Sequence, residues 1–542
     1  STTGEYDEKK NFSGYSKLDM SYRKNGLELG AYAFGARQYQ PGNLDLQQKT
    51  YLDKTWNQKS EIRHTGIVEA MNFRLDASYQ LDANNSIGAN FGILRNPKQT
   101  TNGDMSTSIL QDGDLSESSD SHIDIFEQKS TLSSNVYYVG KLGKLGIDFN
   151  TDWLWSKNNE DDVTKEQYQE VGMDAQSQTV HSLTNKYYHL LASKLVLSYP
   201  LLGGNLSLGG EYSNTHRTSK YQVVPTNLVS DDDSRITESM TSSFLTYSRD
   251  FGNLSMEAGL RYEYIDFNYY EYGKYVPEQS KSYGNWFPSI SLSMPVGKVQ
   301  MQLSYAADIN RPSYYYLRSG IQYANRYTYE TGNPFLVSEI RKNLNYELAY
   351  KWLTFDMTYS HTSNPIMSTV ETYKDNPVIG LMKPVNGNSY NDVEASINLR
   401  PSFGIWYPSF TASVDKQWFD METHDGKSLN KPMASFRFDN TLDTKLGMFT
   451  WMMSYVTKGH EKNQYLYKPM FCTNVSAYKA FLKDRLSLEF FIYDLFGTSD
   501  THVIAHFGKM KETVHDGLST SKVSLTVRYK FNTTRSKYKG TG

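Results

Sequence analysis

Lys522-Val523-Ser524-Leu525-Thr526-Val527-Arg528-Tyr529-Lys530-Phe531 is the stretch on which the fold turns. Every odd position is apolar or aromatic, every even position is polar, and three of the even ones carry charge. Successive side chains of a strand point to opposite faces. The period of two therefore puts Val523, Leu525, Val527, Tyr529 and Phe531 on one face and Lys522, Arg528 and Lys530 on the other. The pattern recurs upstream. Leu254, Met256, Ala258, Leu260, Tyr262 and Tyr264 alternate with Ser255, Glu257, Gly259, Arg261 and Glu263. Met301, Leu303 and Tyr305 alternate with Gln300, Gln302 and Ser304, and Leu486, Leu488, Phe490 and Ile492 with Ser487 and Glu489. A soluble sandwich alternates in the same way, so no single strand decides between architectures.

The connections decide. Candidate tight turns lie at Lys24-Asn25-Gly26, Asp82-Ala83-Asn84-Asn85, Lys141-Leu142-Gly143-Lys144, Gly203-Gly204-Asn205 and Gly252-Asn253. Five more lie at Val296-Gly297-Lys298, Lys351-Trp352-Leu353, Ser402-Phe403-Gly404, Lys445-Leu446-Gly447 and Lys483-Asp484. Most carry Gly or Asn, which tolerate the positive φ of hairpin turns. They recur about every 51 residues from Asn25 to Asp484, and each interval holds two strands and one long polar connection. Examples of the long connections are 96–123, 156–178, 215–235 and 415–430. Short turns alternating with long loops are the habit of an outer-membrane β-barrel. A β-propeller repeats at a similar length but needs four short strands per repeat, where this chain offers two long ones.

Composition agrees. No run approaches the roughly 18 apolar residues of a spanning helix, and mean hydropathy is −0.61. A transmembrane barrel reconciles the two, because only alternate residues of each strand face lipid. The chain carries 43 Tyr, 25 Phe and 8 Trp, and in the alternating strands Tyr or Phe tends to stand toward one end of the apolar face, as in interfacial girdles. The single cysteine, Cys472, excludes an internal disulfide framework and a multi-cysteine zinc site. A net charge of −3 gives no basic field for nucleic acid, which is not expected as a partner.

Ten turns join twenty strands, and the segment ending at Phe531 makes twenty-one. Antiparallel closure calls for an even number. Residues 1–10, STTGEYDEKK, read as too polar for a strand. The reading is therefore an all-β chain carrying 21 strands of a barrel of about 22. Residues 1–532 are the barrel, and residues 533–542 are a periplasmic C-terminal tail. The first strand and anything before it would lie upstream of Ser1, whose polar surroundings lack a signal-peptide pattern.

Several passages resemble the outer-membrane β-barrels of Bacteroidetes TonB-dependent-receptor-like proteins. Arg311-Pro312-Ser313 is followed by Gly332-Asn333-Pro334-Phe335-Leu336, similar to the family's Arg-Pro-Ser segment and its Gly-Asn-Pro-x-Leu-x-Pro-Glu box. Glu339 is kept, Ser338 stands where Pro is usual, and Leu317-Arg318-Ser319 replaces Leu-Asn-Pro. Gly259 to Tyr264, Trp286-Phe287-Pro288-Ser289 and Tyr493-Asp494-Leu495-Phe496 match further segments in the family's order. The resemblance runs from about residue 12 to the end. It implies a 22-stranded barrel filled by an N-terminal plug domain of the same protein, and a TonB-type energy-coupling protein engaged through that plug.

Between Asp308 and Glu330 lie Tyr314, Tyr315, Tyr316, Tyr323, Tyr327 and Tyr329. They read either as girdle and loop packing or as an external surface for a ligand or partner, since tyrosine offers contact area with a polar tip and loses little rotamer entropy. The box from Gly332 to Glu339 reads as structural, shaping a loop that returns into the next strand. The acidic runs at Asp112, Asp161 and Asp231 read as solvated loop charge. His502 and His506 have metal-ligand spacing on a helix, but on a strand they stand about 13 Å apart, too far to share an ion. No metal, cofactor or catalytic residue is therefore expected, and the protein is not read as an enzyme.

The functional expectation is an outer-membrane transporter for a glycan, peptide or chelate in a Gram-negative bacterium. The alternative is a non-transporting scaffold subunit that anchors surface lipoproteins or other partners.

Overall fold

The computed structural model describes residues 1–374, 376–517 and 520–531. Each of the ten turns joins two strands that pair antiparallel. At the first of them Asn25 and Gly26 take φ of 49° and 82°, the left-handed region that lets two residues reverse the chain. Among the described residues twenty-two strands close into one barrel. The helical content there is one short 3₁₀ turn, Pro277–Gln279.

The expectation that the first strand lies upstream is corrected. Thr2–Asp7 pairs with Phe12–Lys24 on one side and with Lys522–Tyr529 on the other, closing the cylinder. Six polar-looking residues suffice because ladder hydrogen bonds come from the backbone. On the outer face Gly4 stands opposite Leu525, and the ring of Phe12 covers it, with a carbon 3.1 Å from where a Cβ would be. Inside, Thr3 Oγ1 and Thr526 Oγ1 lie 2.7 Å apart. The tail at 533–542 lies outside the described residues.

The outward face is the apolar one. Leu525 and Leu260 are 51 % and 45 % exposed, whereas Ser524 and Glu263 on the opposite face are 4 % and 6 % exposed. Apolar side chains outside and polar ones inside invert a soluble protein, and the membrane's acyl chains are what such a surface meets. Inside, Arg261 spans Glu211 at 3.0 Å and Glu263 at 2.5 Å, and Arg311 joins Glu263. Pairing makes those charges tolerable.

The wall has uneven height. Strands such as Leu353–Ser363 and Leu486–Tyr493 have 11 and 8 residues, close to the 9–11 that span a bilayer. Thr55–Gln80, Ser86–Gln111 and Asp114–Leu142 have 26, 26 and 29. The excess, at about 3.3 Å per residue, rises some 50 Å along the strand beyond the membrane. Much of 96–123, 156–178 and 215–235, read from sequence as loop, is this raised wall.

The reason is a reversal of polarity within single strands. In Leu254–Glu271 the even positions up to Tyr264 are apolar and face lipid. From there the odd positions Ile265, Phe267 and Tyr269 are apolar and buried inside, while Asp266 and Asn268 face out. The ladder with Asp232–Phe251 runs through without a bulge, so the chain does not slip; its surroundings change. Below the change the outside is lipid and the inside is a polar lumen. Above it the outside is water and the inside is protein.

Candidate functional site

The protein that fills the upper interior comes from two inturned connections. Ile321–Asn325 and Thr328–Thr331 form a hairpin. Thr328–Thr331 pairs in parallel with Asn376–Asn386, which pairs with Ile366–Tyr373. This separate four-stranded sheet lies across the extracellular mouth as a lid.

Its contacts reach round the mouth. Tyr323 and Tyr329 pack with Val180, Tyr221 and Val223 of the raised wall. Leu317 and Leu336 pack with Ile236, Ile265, Phe267 and Tyr269. Met367 packs with Tyr390, Phe419 and Leu429. Lys462 Nζ donates to the carbonyl of Ile366 at 3.4 Å, and Gly380 approaches the side chain of Gln48. The reversed inner face of the wall is thus the seat of the lid.

Polar latches reinforce the seat. Tyr323 Oη donates to Glu166 Oε1 at 2.6 Å, Tyr327 Oη to Glu117 Oε1 at 3.0 Å, and Tyr314 Oη to Glu238 Oε1 at 3.0 Å. Arg326 Nε also donates to Glu117 Oε1, at 2.7 Å, with its guanidinium 3.4 Å from the Tyr168 ring centre. A buried carboxylate needs such donors. Burial nevertheless pushes Glu166 and Glu238 above the usual carboxylate range. Burial and neighbouring carboxylates raise the Tyr323 and Tyr327 hydroxyls as well, so they remain protonated donors.

Five of the six tyrosines singled out from sequence are turned inward. Tyr323, Tyr327 and Tyr329 are buried, and Tyr314 and Tyr316 pack against the cluster around Ile236. Tyr315 is exposed; its hydroxyl donates to Glu330 at 2.7 Å, and Arg318 lies 3.8 Å over its ring. The wall acids Glu117, Glu166 and Glu238 were not visible as partners in the sequence.

The Gly332–Glu339 box anchors the lid. A Cβ on Gly332 would stand 2.4 Å from the carbonyl oxygen of Arg318, so only glycine fits. Asn333 Nδ2 donates to the Pro384 carbonyl at 3.2 Å, tying the two connections together. Leu336 is fully buried. Glu339 accepts the Ile366 amide at 2.9 Å.

Between lid and wall is a cavity of about 370 Å³, lined among others by Trp56, Glu117, Gln178, Arg326, Tyr327 and Asn376. Mixed aromatic and hydrogen-bonding walls of this size suit a small polar ligand.

Asp162 also faces the interior beneath the lid. Burial, with Glu160 and Asp161 nearby, pushes its carboxyl up to about 7. A raised folded-state pKa means that the native state holds the proton more tightly than the unfolded chain, so stability falls as pH rises through 7. Asp162→Asn should therefore leave the urea midpoint in detergent unchanged at pH 4. At pH 8 it should raise stability by up to about 4 kcal/mol. Equal midpoints at pH 8 would show that Asp162 is solvated.

The outer membrane protein beta-barrel family model matches residues 140–529. No curated protein matches. Among solved structures the chain is similar to the copper transporter OprC, with a TM-score of 0.59 at 11 % identity over 95 % of this chain and 79 % of that one. It is also similar to the ferric yersiniabactin uptake receptor FyuA from Yersinia pestis, with a TM-score of 0.57 at 12 % identity over 98 % and 79 %. The outer membrane transporter YddB from Escherichia coli gives 0.56 at 8 % identity over 97 % and 80 %. At such identities the likeness is one of fold.

Proposed function

This chain belongs to the outer membrane protein β-barrel family, and we propose that it is the barrel of a TonB-dependent-receptor-like transporter of the Bacteroidetes type. Its cargo would be a nutrient too large or scarce for a simple pore: a glycan, a peptide or a chelate. One observation carries the reading, namely a polar lumen whose mouth is closed by a lid latched through tyrosine–carboxylate pairs. A passive pore has no use for such a closure. The likeness in fold to OprC and FyuA, named for copper transport and ferric yersiniabactin uptake, favours uptake over other uses of the barrel.

In this reading cargo meets the exposed rim at Tyr315 and the cavity beside Arg326, and the lid moves to admit it. A plug domain of the same protein would occupy the lumen at the level of Arg261 and Glu263. A TonB-type protein would pull on the plug from the periplasm. No chemical step is assigned to the chain.

The closed mouth also favours a second reading, a scaffold that never opens. The charged outer face of the raised wall, with Lys59, Glu61 and Arg63, then serves surface lipoproteins or other subunits. A cross-link separates the two. Cysteines replace Tyr323 and Glu166, Cys472 becomes Ser, and a short bismaleimide bridges lid to wall in cells making the full-length protein. Accumulation of labelled oligosaccharides, peptides and ferric chelates is then followed. Transport predicts that uptake of one class falls at least about tenfold on bridging, the loss that 1.4 kcal/mol would give. Unchanged accumulation of every class, with partners still co-purifying, supports the scaffold.

A further inference from the structure

Above the membrane, the edge of Leu27–Tyr51 left free by Phe12–Lys24 is taken by a hairpin of Thr501–Phe507 and Met510–Asp516. Directly opposed residues of antiparallel strands share a face, with Cβ atoms about 5 Å apart. Asp45 opposes His515, and His515 opposes His502. The next strand brings Tyr467, whose amide donates to the His502 carbonyl at 3.1 Å. Asp500, two residues before His502, reaches back into this row. The ligand atoms of Asp500, His502 and His515 all lie within 4.8 Å of one another.

The hydrogen bonding leaves a gap that wants a cation. His515 Nδ1 donates to Asp45 Oδ2 at 3.2 Å, while its Nε2 stands 3.5 Å from Asp500 Oδ2. In a neutral ring with its proton on Nδ1, Nε2 is an acceptor facing an acceptor. A cation placed between them would be shared by the imidazole nitrogen and the carboxylate. The His502 ring, stacked at 4.2 Å on His515, supplies a second imidazole; Tyr467 Oη is 3.5 Å from its Nδ1, and among the described residues no hydrogen bond engages its Nε2.

We propose that Asp500, His502 and His515 form a site for a divalent transition-metal ion of the zinc type. Two imidazoles and a carboxylate with an open position are a donor set that zinc accepts. Asp45 and Tyr467 are the outer partners that fix ring orientation, as outer partners of metal-bound histidines do. Donor atoms round a tetrahedral ion about 2.1 Å away stand some 3.4 Å apart. Metal entry therefore turns the His502 ring out of its stack, which its partial exposure permits. The bound ion would pin the last external connection at the top of the wall. Strand geometry separates His502 from His506, as the sequence indicates; the partner of His502 comes from across the hairpin.

The test uses the full chain, metal-stripped in detergent, titrated with Zn²⁺ by calorimetry and with Co²⁺ by its visible absorption. One ion per chain is expected. Affinity should fall at least about tenfold in His515→Gln, His502→Gln and Asp500→Asn, fall about tenfold in Asp45→Asn, and hold in His506→Gln. The glutamine and asparagine variants keep polar side chains, and circular dichroism checks that each is folded. No binding by the unmodified chain, or binding that survives the three ligand substitutions, overturns the site and leaves a proton as the bridge.

Discussion

Leu260→Arg should leave most of the protein unassembled, while Asn268→Arg, eight residues further along the same strand and on the same outer face, should fold normally. Leu260 lies midway along the run from Leu254 to Tyr264 that faces lipid, and it is 45 % exposed. An arginine near the bilayer midplane of a barrel costs about 2–4 kcal/mol, and close to nothing at the interface. Asn268 is past the reversal of polarity, where the outside is water. The comparison uses folding into lipid vesicles, read as the shift of the folded band on unheated gels and as the urea midpoint. A soluble-type barrel would give the opposite ranking, or none. Equal behaviour of the two variants would remove the membrane boundary drawn between Tyr264 and Asp266.

That boundary also explains how far the fold could be read from sequence. Wherever apolar residues alternated on the lipid face, the strand and its short turn were legible, as at Leu254–Tyr264 and Val523–Phe531. Where the outer face became polar, the chain read as loop. Asp104-Met105-Ser106-Thr107-Ser108-Ile109 still alternates, but Met105 and Ile109 are now buried inside together with Thr107, while Asp104, Ser106 and Ser108 face out. A scan for one greasy face loses the strand at the point where the greasy face changes side. Thr2–Asp7 was missed for another reason. A closing strand is chosen by the two edges it bridges, and its own side chains need only be small or be covered, as Phe12 covers Gly4.

The lid was half legible. Its tyrosines stood out by density, and the box at Gly332 by its turn chemistry. The acceptors did not, because they lie far away in the chain: Glu166 is 157 residues from Tyr323, and Glu117 is 210 from Tyr327. The available signal is slight. Glu117 stands beside Ser119 and Ser121 on one inward face, and Glu166 beside Asp162 and Thr164 on another. Only the reversal of polarity marks those positions as interior.

Tyr323→Phe should loosen the lid without harming the barrel, and more so at alkaline pH. The substitution removes the 2.6 Å donor to Glu166 Oε1 and leaves the Arg326 backbone amide, the nearby Arg326 charge and Gln178 Nε2, 3.4 Å from Oε2, to support a carboxylate 2 % exposed. A buried charge deprived of its partner costs about 3–5 kcal/mol, unless it escapes by binding a proton. Burial already holds the Glu166 carboxyl above its ordinary range, and losing the hydroxyl raises it further. With the folded pKa above the unfolded one, stability is kept in acid and lost as pH rises through the folded value. At pH 8, amide protection across 321–331 and 366–386, taken relative to the unmodified protein at the same pH, should fall about thirtyfold or more, equivalent to about 2 kcal/mol. Near pH 5 the loss should shrink to a few-fold. Adding Glu166→Gln to Tyr323→Phe should restore protection at pH 8, because an amide carries no charge to strand. Tyr315→Phe is the reference, since its exposed hydroxyl can be replaced by water at Glu330. Should Tyr323→Phe behave like Tyr315→Phe at both pH values, the tyrosine–carboxylate pairs are not latches, and apolar packing alone keeps the mouth shut.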